Sequence, residues 1–141
     1  MTASSREQAV REIFQIVDAA LLPLVGAANI LYPNRPEAKP AASSAWARVT
    51  LRHVEADQRS LQAQDQLYEN EGILIVQLFE PSGRGLALST LTTPMLQALR
   101  VTTTPSLVWF RRVTSAEQGI SEHWYQTNVS AIFQYDTREN P

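Results

Sequence analysis

One stretch near the C-terminus constrains the fold more than any other. Every second residue from Tyr125 is Tyr125, Thr127, Val129, Ala131, Phe133 and Tyr135, and the intervening set is Trp124, Gln126, Asn128, Ser130, Ile132 and Gln134. Side chains of a strand point alternately to its two sides, so this pattern specifies a strand with one side on a core and the other facing water or a partner. A second strand-like run, Leu107 to Val113, precedes it. Between them Thr114 to Ser121 supplies the breaker residues for a hairpin turn, with Gly119 the natural place for a positive φ angle. A sheet closing at the C-terminus anchors the fold.

Upstream, Ser4 or Ser5 stands three residues before Glu7 or Gln8, the spacing of a capping box. Val10, Ile13, Phe14, Val17 and Leu21 then recur at helical steps, and Arg6, Arg11, Glu12 and Asp18 fall largely off that stripe. The pattern predicts an amphipathic helix ending near Leu22, because Pro23 disfavours helical backbone in the residue before it. Both charge signs occur on its polar side, which fits a helix lying on a sheet better than one lying on a membrane. Pro23, Gly26, Pro33, Pro36 and Pro40 mark a surface connector, with Asn34 as a turn residue and Ile30 to Tyr32 able to form a short strand.

From Trp46 the chain turns extended: Ala47, Val49, Leu51 and His53 alternate with Arg48, Thr50 and Arg52, a half-buried strand with His53 at its solvent end. Residues 55–71 are polar, with only Leu61, Leu67 and Tyr68 as sizeable apolar groups, so they are expected to be a mobile arm ordered by a neighbouring subunit. The run Gly72 to Phe79 is the most apolar of the chain and predicts a central strand, hairpin-paired to the one from Trp46. After it, Leu88, Leu91, Met95 and Leu99 form the stripe of a second helix, in which Pro94 predicts a kink or a restart at Thr93. Residues 137–141 read as a short tail. The expected architecture is a single α+β domain over residues 1–141. It has an antiparallel or mixed sheet of about four main strands, with two helices packed on one face, in the order α-β-β-α-β-β.

Chemistry is sparse. A chain of 141 residues can bury a core without metal or disulfide support. There is no cysteine, and His53 and His123 are the two histidines, which removes thiolate sites and leaves no histidine cluster. Met1 to Gln8 lacks the features of a signal peptide, and no apolar run approaches the roughly 20 residues of a membrane span, so a soluble protein made in the cytoplasm is expected. A net charge of -2 without a basic cluster does not support binding to nucleic acid through its phosphates. The turn Pro81-Ser82-Gly83-Arg84-Gly85 lacks the Lys-Ser/Thr pair of a phosphate loop, and no metalloprotease, nucleophile-elbow or dinucleotide motif occurs. Asn128-Val129-Ser130 fits the glycosylation pattern, which has no meaning without a secretion signal. Neither an enzyme nor a cofactor is expected.

The assembled pattern does resemble a family. Leu31-Tyr32-Pro33-Asn34, then Trp46 and Arg48, Gly72 before the Val76-Gln77 strand, Pro81 with Gly83 and Gly85, and finally Gly119, Trp124-Tyr125-Gln126, Val129, Phe133 and Tyr135-Asp136 look like the tailed-phage minor tail proteins of the lambda-type tail terminator family. The likeness runs from the first helix to Asp136. It implies a small α+β subunit that forms a ring, commonly a hexamer, at the head-proximal end of the virion tail. There the ring stops polymerisation of the tail-tube protein and offers a surface to the head–tail connector or neck protein. DNA would pass through without specific binding: a hexamer would carry a formal charge of about -12, and an acidic bore offers phosphates no counter-charge. Candidate subunit or tube contacts are Gln58, Arg59, Gln62, Asp65 and Gln66 of the arm, Arg111, and Trp124, Gln126 and Asn128 of the last strand. A neck or head-completion protein of similar fold, and a small-molecule-binding α+β domain, are the competing readings.

Overall fold

Burial follows the alternation of the last strand closely. The structure, a computed structural model, describes residues 6–26, 29–33, 45–58, 66–81, 91–102, 104–105, 107–121 and 124–139. Its elements are α1 (Arg6–Val25), β1 (Ile30–Leu31), β2 (Trp46–Gln58), β3 (Gln66–Pro81), α2 (Thr92–Val101), β4 (Trp109–Ser121) and β5 (Trp124–Glu139). Along β5, Thr127, Val129, Ala131, Phe133, Tyr135 and Thr137 are buried, and the alternate residues from Trp124 to Asp136 are only partly so. The strands form one sheet in the order β1-β2-β3-β5-β4. β1 is parallel to β2, and every other pair is antiparallel. The fold is α+β: four long strands in the expected order, with the two-residue β1 added at one edge.

The core lies between one face of this sheet and the two helices. From the sheet it takes Val49, Leu74, Val76, Leu78, Val129, Ala131, Phe133 and Tyr135, and from the helices Ala9, Ile13, Ile16, Val17, Leu21, Met95 and Leu99. On α1 the buried stripe is rotated from the expected one. Ile16 and Ala9 are buried, Val10 and Phe14 only partly, and Glu12, expected on the polar side, is 6% exposed. Packing of α2 against α1 is the reason, since it covers a flank that one helix's periodicity assigns to water.

Both prolines are accommodated near helix ends. α1 continues through Pro23 to Val25, correcting the expected end at Leu22. Gly26 closes it in the left-handed region (φ 83°) with its N–H 3.0 Å from the Leu22 carbonyl, and burial of Leu21 and Val25 holds the last turn down. In α2, Pro94 occupies the first turn, where backbone N–H groups have no intrahelical acceptor to lose. The restart expected at Thr93 falls at Thr92, and Leu91, Met95 and Leu99 are buried as expected. Leu88 and the glycine turn 82–85 lie outside the described residues.

Two loops expected from composition are strand wherever they fall among the described residues. Of the arm at 55–71, Glu55 pairs with Glu71 and Gln58 with Tyr68, and residues 66–71 pair on their other side with β5 from Glu139 to Gln134. A central strand with two ladders does not need apolar side chains to be held. Asn70 is buried there, donating to Thr137 Oγ1 at 3.0 Å. Likewise 114–121, expected as a turn, completes β4. Gly119 does have a positive φ (85°), but at a β-bulge where the register shifts between Glu117 and Gly119. The expected tail is strand as far as Glu139. Nor is His53, which is partly buried, at the end of its strand: β2 continues past it, and its Nε2 lies 2.5 Å from the Tyr135 hydroxyl.

Candidate interaction surface

The opposite face of the sheet carries no described helix, and its residues can be placed rung by rung from the pairing register. One rung reads Trp46, Phe79, Gln126 and Gly119, and the next on the same face Arg48, Gln77, Asn128 and Ala116. Then come Thr50, Ile75, Ser130 and Thr114, followed by Arg52, Ile73, Ile132 and Arg111. The face therefore grades from an aromatic end through a belt of amides and hydroxyls to an isoleucine strip flanked by arginines.

At the aromatic end Trp46 and Phe79 stack with centroids 4.0 Å apart at 9°, and Trp124 meets Trp46 edge-on at 5.9 Å. The exposed Arg48 guanidinium lies 5.3 Å from the Trp46 ring centre and 5.9 Å from that of Phe79, a cation–π arrangement. Trp46 is buried, and its indole N–H finds no acceptor among the described residues. In the belt, Gln126 Nε2 donates to Asn128 Oδ1 at 2.8 Å, and the Thr114 and Ser130 hydroxyls are 3.3 Å apart. At the far end Arg111 reaches across β5 to the carboxylate of Glu71, with Ile73 (40% exposed) beneath and Trp109 (49% exposed) beside it.

Of the contacts expected from sequence, the fold gathers Arg111, Trp124, Gln126 and Asn128 onto this face. Gln58 and Gln66 sit in the strands at the opposite end of the sheet from Trp124, paired with Tyr68 and Glu139. Arg59, Gln62 and Asp65 lie outside the described residues. Sequence reasoning missed Ile73 and Ile75, because the run Gly72–Phe79 carries apolar residues on both faces and only the register separates them.

Two other places carry polar groups near a hollow. Between α1 and α2 an open groove of about 440 Å³ is lined by Glu12, Ile16, Ala20, Pro94, Gln97 and Thr104, among others. At the end of the core, His53 packs edge-on against Phe133 with ring centres 5.2 Å apart. Burial, and secondarily the nearby Arg6 cation, hold the His53 pKa below its usual range, and burial pushes the Tyr135 phenol up. Among the described residues no group of three histidines, cysteines or acids could hold a metal, and no helix is long and apolar enough to cross a membrane.

No protein-family model matches this chain, and no curated protein matches it. A solved structure that carries a reference label in place of a functional name is similar in fold. The TM-score is 0.63 over 94% of this chain and 96% of that one, at 14% sequence identity. Likeness at that identity defines the class, a small α+β domain, through its fold alone.

Proposed function

We propose that this protein is a structural subunit of a phage virion, a tail terminator that assembles as a ring, caps the tail tube and presents a surface to the head. The bare sheet face carries this reading. Strand spacing makes four strands of about 13 residues roughly 800 Å² in area, close to what one partner contributes to a standard protein interface. Its make-up matches as well: Trp109, Trp124, Ile73 and Ile132 for burial, Arg48 and Arg111 for directed contacts, and a belt of neutral amides. The sequence resemblance supplies the particular assembly. The test is tube length: purified protein is added to polymerising tail-tube protein and the products are measured by electron microscopy. Tubes shortened to a defined length, with a ring at one end, are expected; unchanged lengths despite ring formation would refute the terminator role.

The groove between α1 and α2 supports a second reading, a small-molecule-binding domain, because it places the buried Glu12 carboxylate beside apolar walls. Nuclear magnetic resonance titration with a set of small organic cations tests it. Shifts confined to α1 and α2 would favour it over the assembly role.

A further inference from the structure

The sheet has two open edges, one on each side. β4 is a terminal strand that pairs only with β5. On the other side β1 covers only Ala47 and Arg48 of β2, so from Val49 to Gln58 the outer edge of β2 faces no strand among the described residues. An open edge presents a row of unpaired N–H and C=O groups and is a template for another strand. The two edges also match in direction. β2 is antiparallel to β3, β3 to β5 and β5 to β4, so β4 runs opposite to β2. Copies set side by side in the same orientation bring β4 of one against β2 of the next as an antiparallel pair, the stronger kind.

The first half of β4 is built for contact. Leu107, just before the strand, has φ 56°, a strained conformation for a bulky residue. It is held there by its N–H on the Thr104 carbonyl (3.0 Å) and by the Val108 N–H on the Thr104 hydroxyl (2.9 Å). In that position Leu107 is half-exposed, next to the half-exposed Trp109 and the exposed Val101.

Charge makes the occupant of each edge the other edge. β4 carries Arg111, which meets Glu71 across β5, and in the bulge beside it the exposed Arg112, which has a positive φ (53°) and no ladder partner. The β2 edge carries Glu55 and Asp57. In the level register Arg111 would stand opposite Arg52 and repel it, whereas a slip of two rungs sets it opposite Glu55 and keeps the faces aligned. The bulges at Arg111/Thr114 and Glu117/Gly119 break the remaining length of β4 as a flat template, which limits pairing to its first half.

We infer that copies of this chain join edge to edge, β4 of one subunit adding antiparallel to the Val49–Gln58 edge of β2 in the next, so that one sheet continues across the subunit boundary. The contact is head-to-tail, the kind that closes into a ring. It rests on the assembly reading above and assigns the surfaces that make it.

The absence of cysteine makes a clean test possible. Arg52→Cys and Thr114→Cys, which the two-rung slip sets opposite each other on one face, are introduced singly, at exposed positions, and the two proteins are mixed and treated with a short bismaleimide. A cross-link between position 52 of one chain and 114 of another is expected in the mixture, with none in either protein alone. Cross-links joining 52 to 52 or 114 to 114 would mean a two-fold contact and overturn the inference. So would rings seen by sedimentation without the mixed cross-link, which would leave the assembly reading standing. Protein that stays monomeric at every concentration, and with tail-tube protein present, would remove both. In parallel, Arg111→Glu is expected to weaken self-association at least tenfold, and adding Glu55→Arg to restore it. Wild-type association by Arg111→Glu would count against the edge contact.

Discussion

The two faces of the sheet are made by the same strands and have opposite requirements. On the helix side the side chains of Val49, Leu74, Val76, Val129, Phe133 and Tyr135 are almost completely removed from water within the single chain. On the other side Ile73, Ile75, Ile132 and Trp109 keep part of their surface exposed, although they are as apolar as their neighbours one residue along. The inner face is finished by intramolecular packing. The outer face is of comparable size and lacks a covering layer within the described residues. Hydrophobicity alone therefore does not locate the core here; the parity of the register does, and the apolar residues on the wrong parity mark the surface available to a partner.

The largest contrast is expected between neighbours on β5. Phe133→Ala removes a ring that lies fully within the core and should cost about 3–5 kcal/mol, enough to threaten folding of a small domain. Ile132→Ala, one residue earlier and on the other face, should cost about 1 kcal/mol or less while weakening association of subunits. Denaturant titration of the isolated chain reads the first difference and sedimentation the second. Equal destabilisation by both would mean that the outer face is already covered within one chain. Gly72 tests the boundary between the faces. A Cβ there would collide with the Arg52 carbonyl oxygen and with the Phe133 ring, which lies across the glycine. Gly72→Ala should accordingly destabilise by about 1–3 kcal/mol, the scale of overpacking, although alanine is ordinarily no worse than glycine in a strand. A neutral result would show that Phe133 can move aside without loss.

The inner face was largely legible in the sequence. Thr127 to Tyr135 at every second position, and Leu91, Met95 and Leu99 at helical spacing, are periodic signals that need no partner to be read. What escaped was fixed by neighbours. Glu55 to Gln58 and Gln66 to Glu71 look like an unordered arm because their polarity offers no burial, yet backbone ladders on both sides of β3 hold them. Gly119 reads as a turn and is a bulge, since a positive φ serves either and only the continuing partner strand decides. The candidate surface was half legible: the polar side of β5 was visible, but the isoleucines of β3 that share it became distinguishable only through register.

A smaller effect is expected where the outer face is tied together by charge. Arg111 and Glu71 form an ion pair that spans β5, with the arginine side chain 41% and the glutamate 24% exposed. Pairs this open to water are worth about 0.2–1 kcal/mol, and less at high salt. A double-mutant cycle with Arg111→Ala and Glu71→Ala, run by denaturant titration at low and high ionic strength, should give a coupling in that range that shrinks with salt. A salt-independent coupling above it would place the pair in a drier setting than a bare face provides, and would contradict the comparison drawn between the two sides.

The smallest effect belongs to His53, which sits on the inner face but at its open end, and so tests how far the dry side extends. Its Nε2 meets the Tyr135 hydroxyl, Phe133 packs edge-on against it, and Arg6 of α1 is the charged group that bears on it. Burial first, and then Arg6, lower its pKa in the folded chain, so on acidification the unfolded chain takes up this proton before the folded one does. Stability rises with pH wherever the unfolded state binds more protons. The contribution of His53 is therefore fully present above the ordinary histidine pKa of about 6.5, and is lost as pH falls from there through the lower folded-state value. Denaturation midpoints measured at pH 8 and at pH 5 should fall less in His53→Gln than in the wild type, the carboxylates contributing equally to both. Tyr135→Phe, which removes the hydroxyl but not the burial, should keep most of the wild-type pH dependence, because burial is the larger cause of the shift. If His53→Gln loses as much stability on acidification as the wild type, the imidazole is solvated in the folded chain and the dry face ends before it, at Phe133.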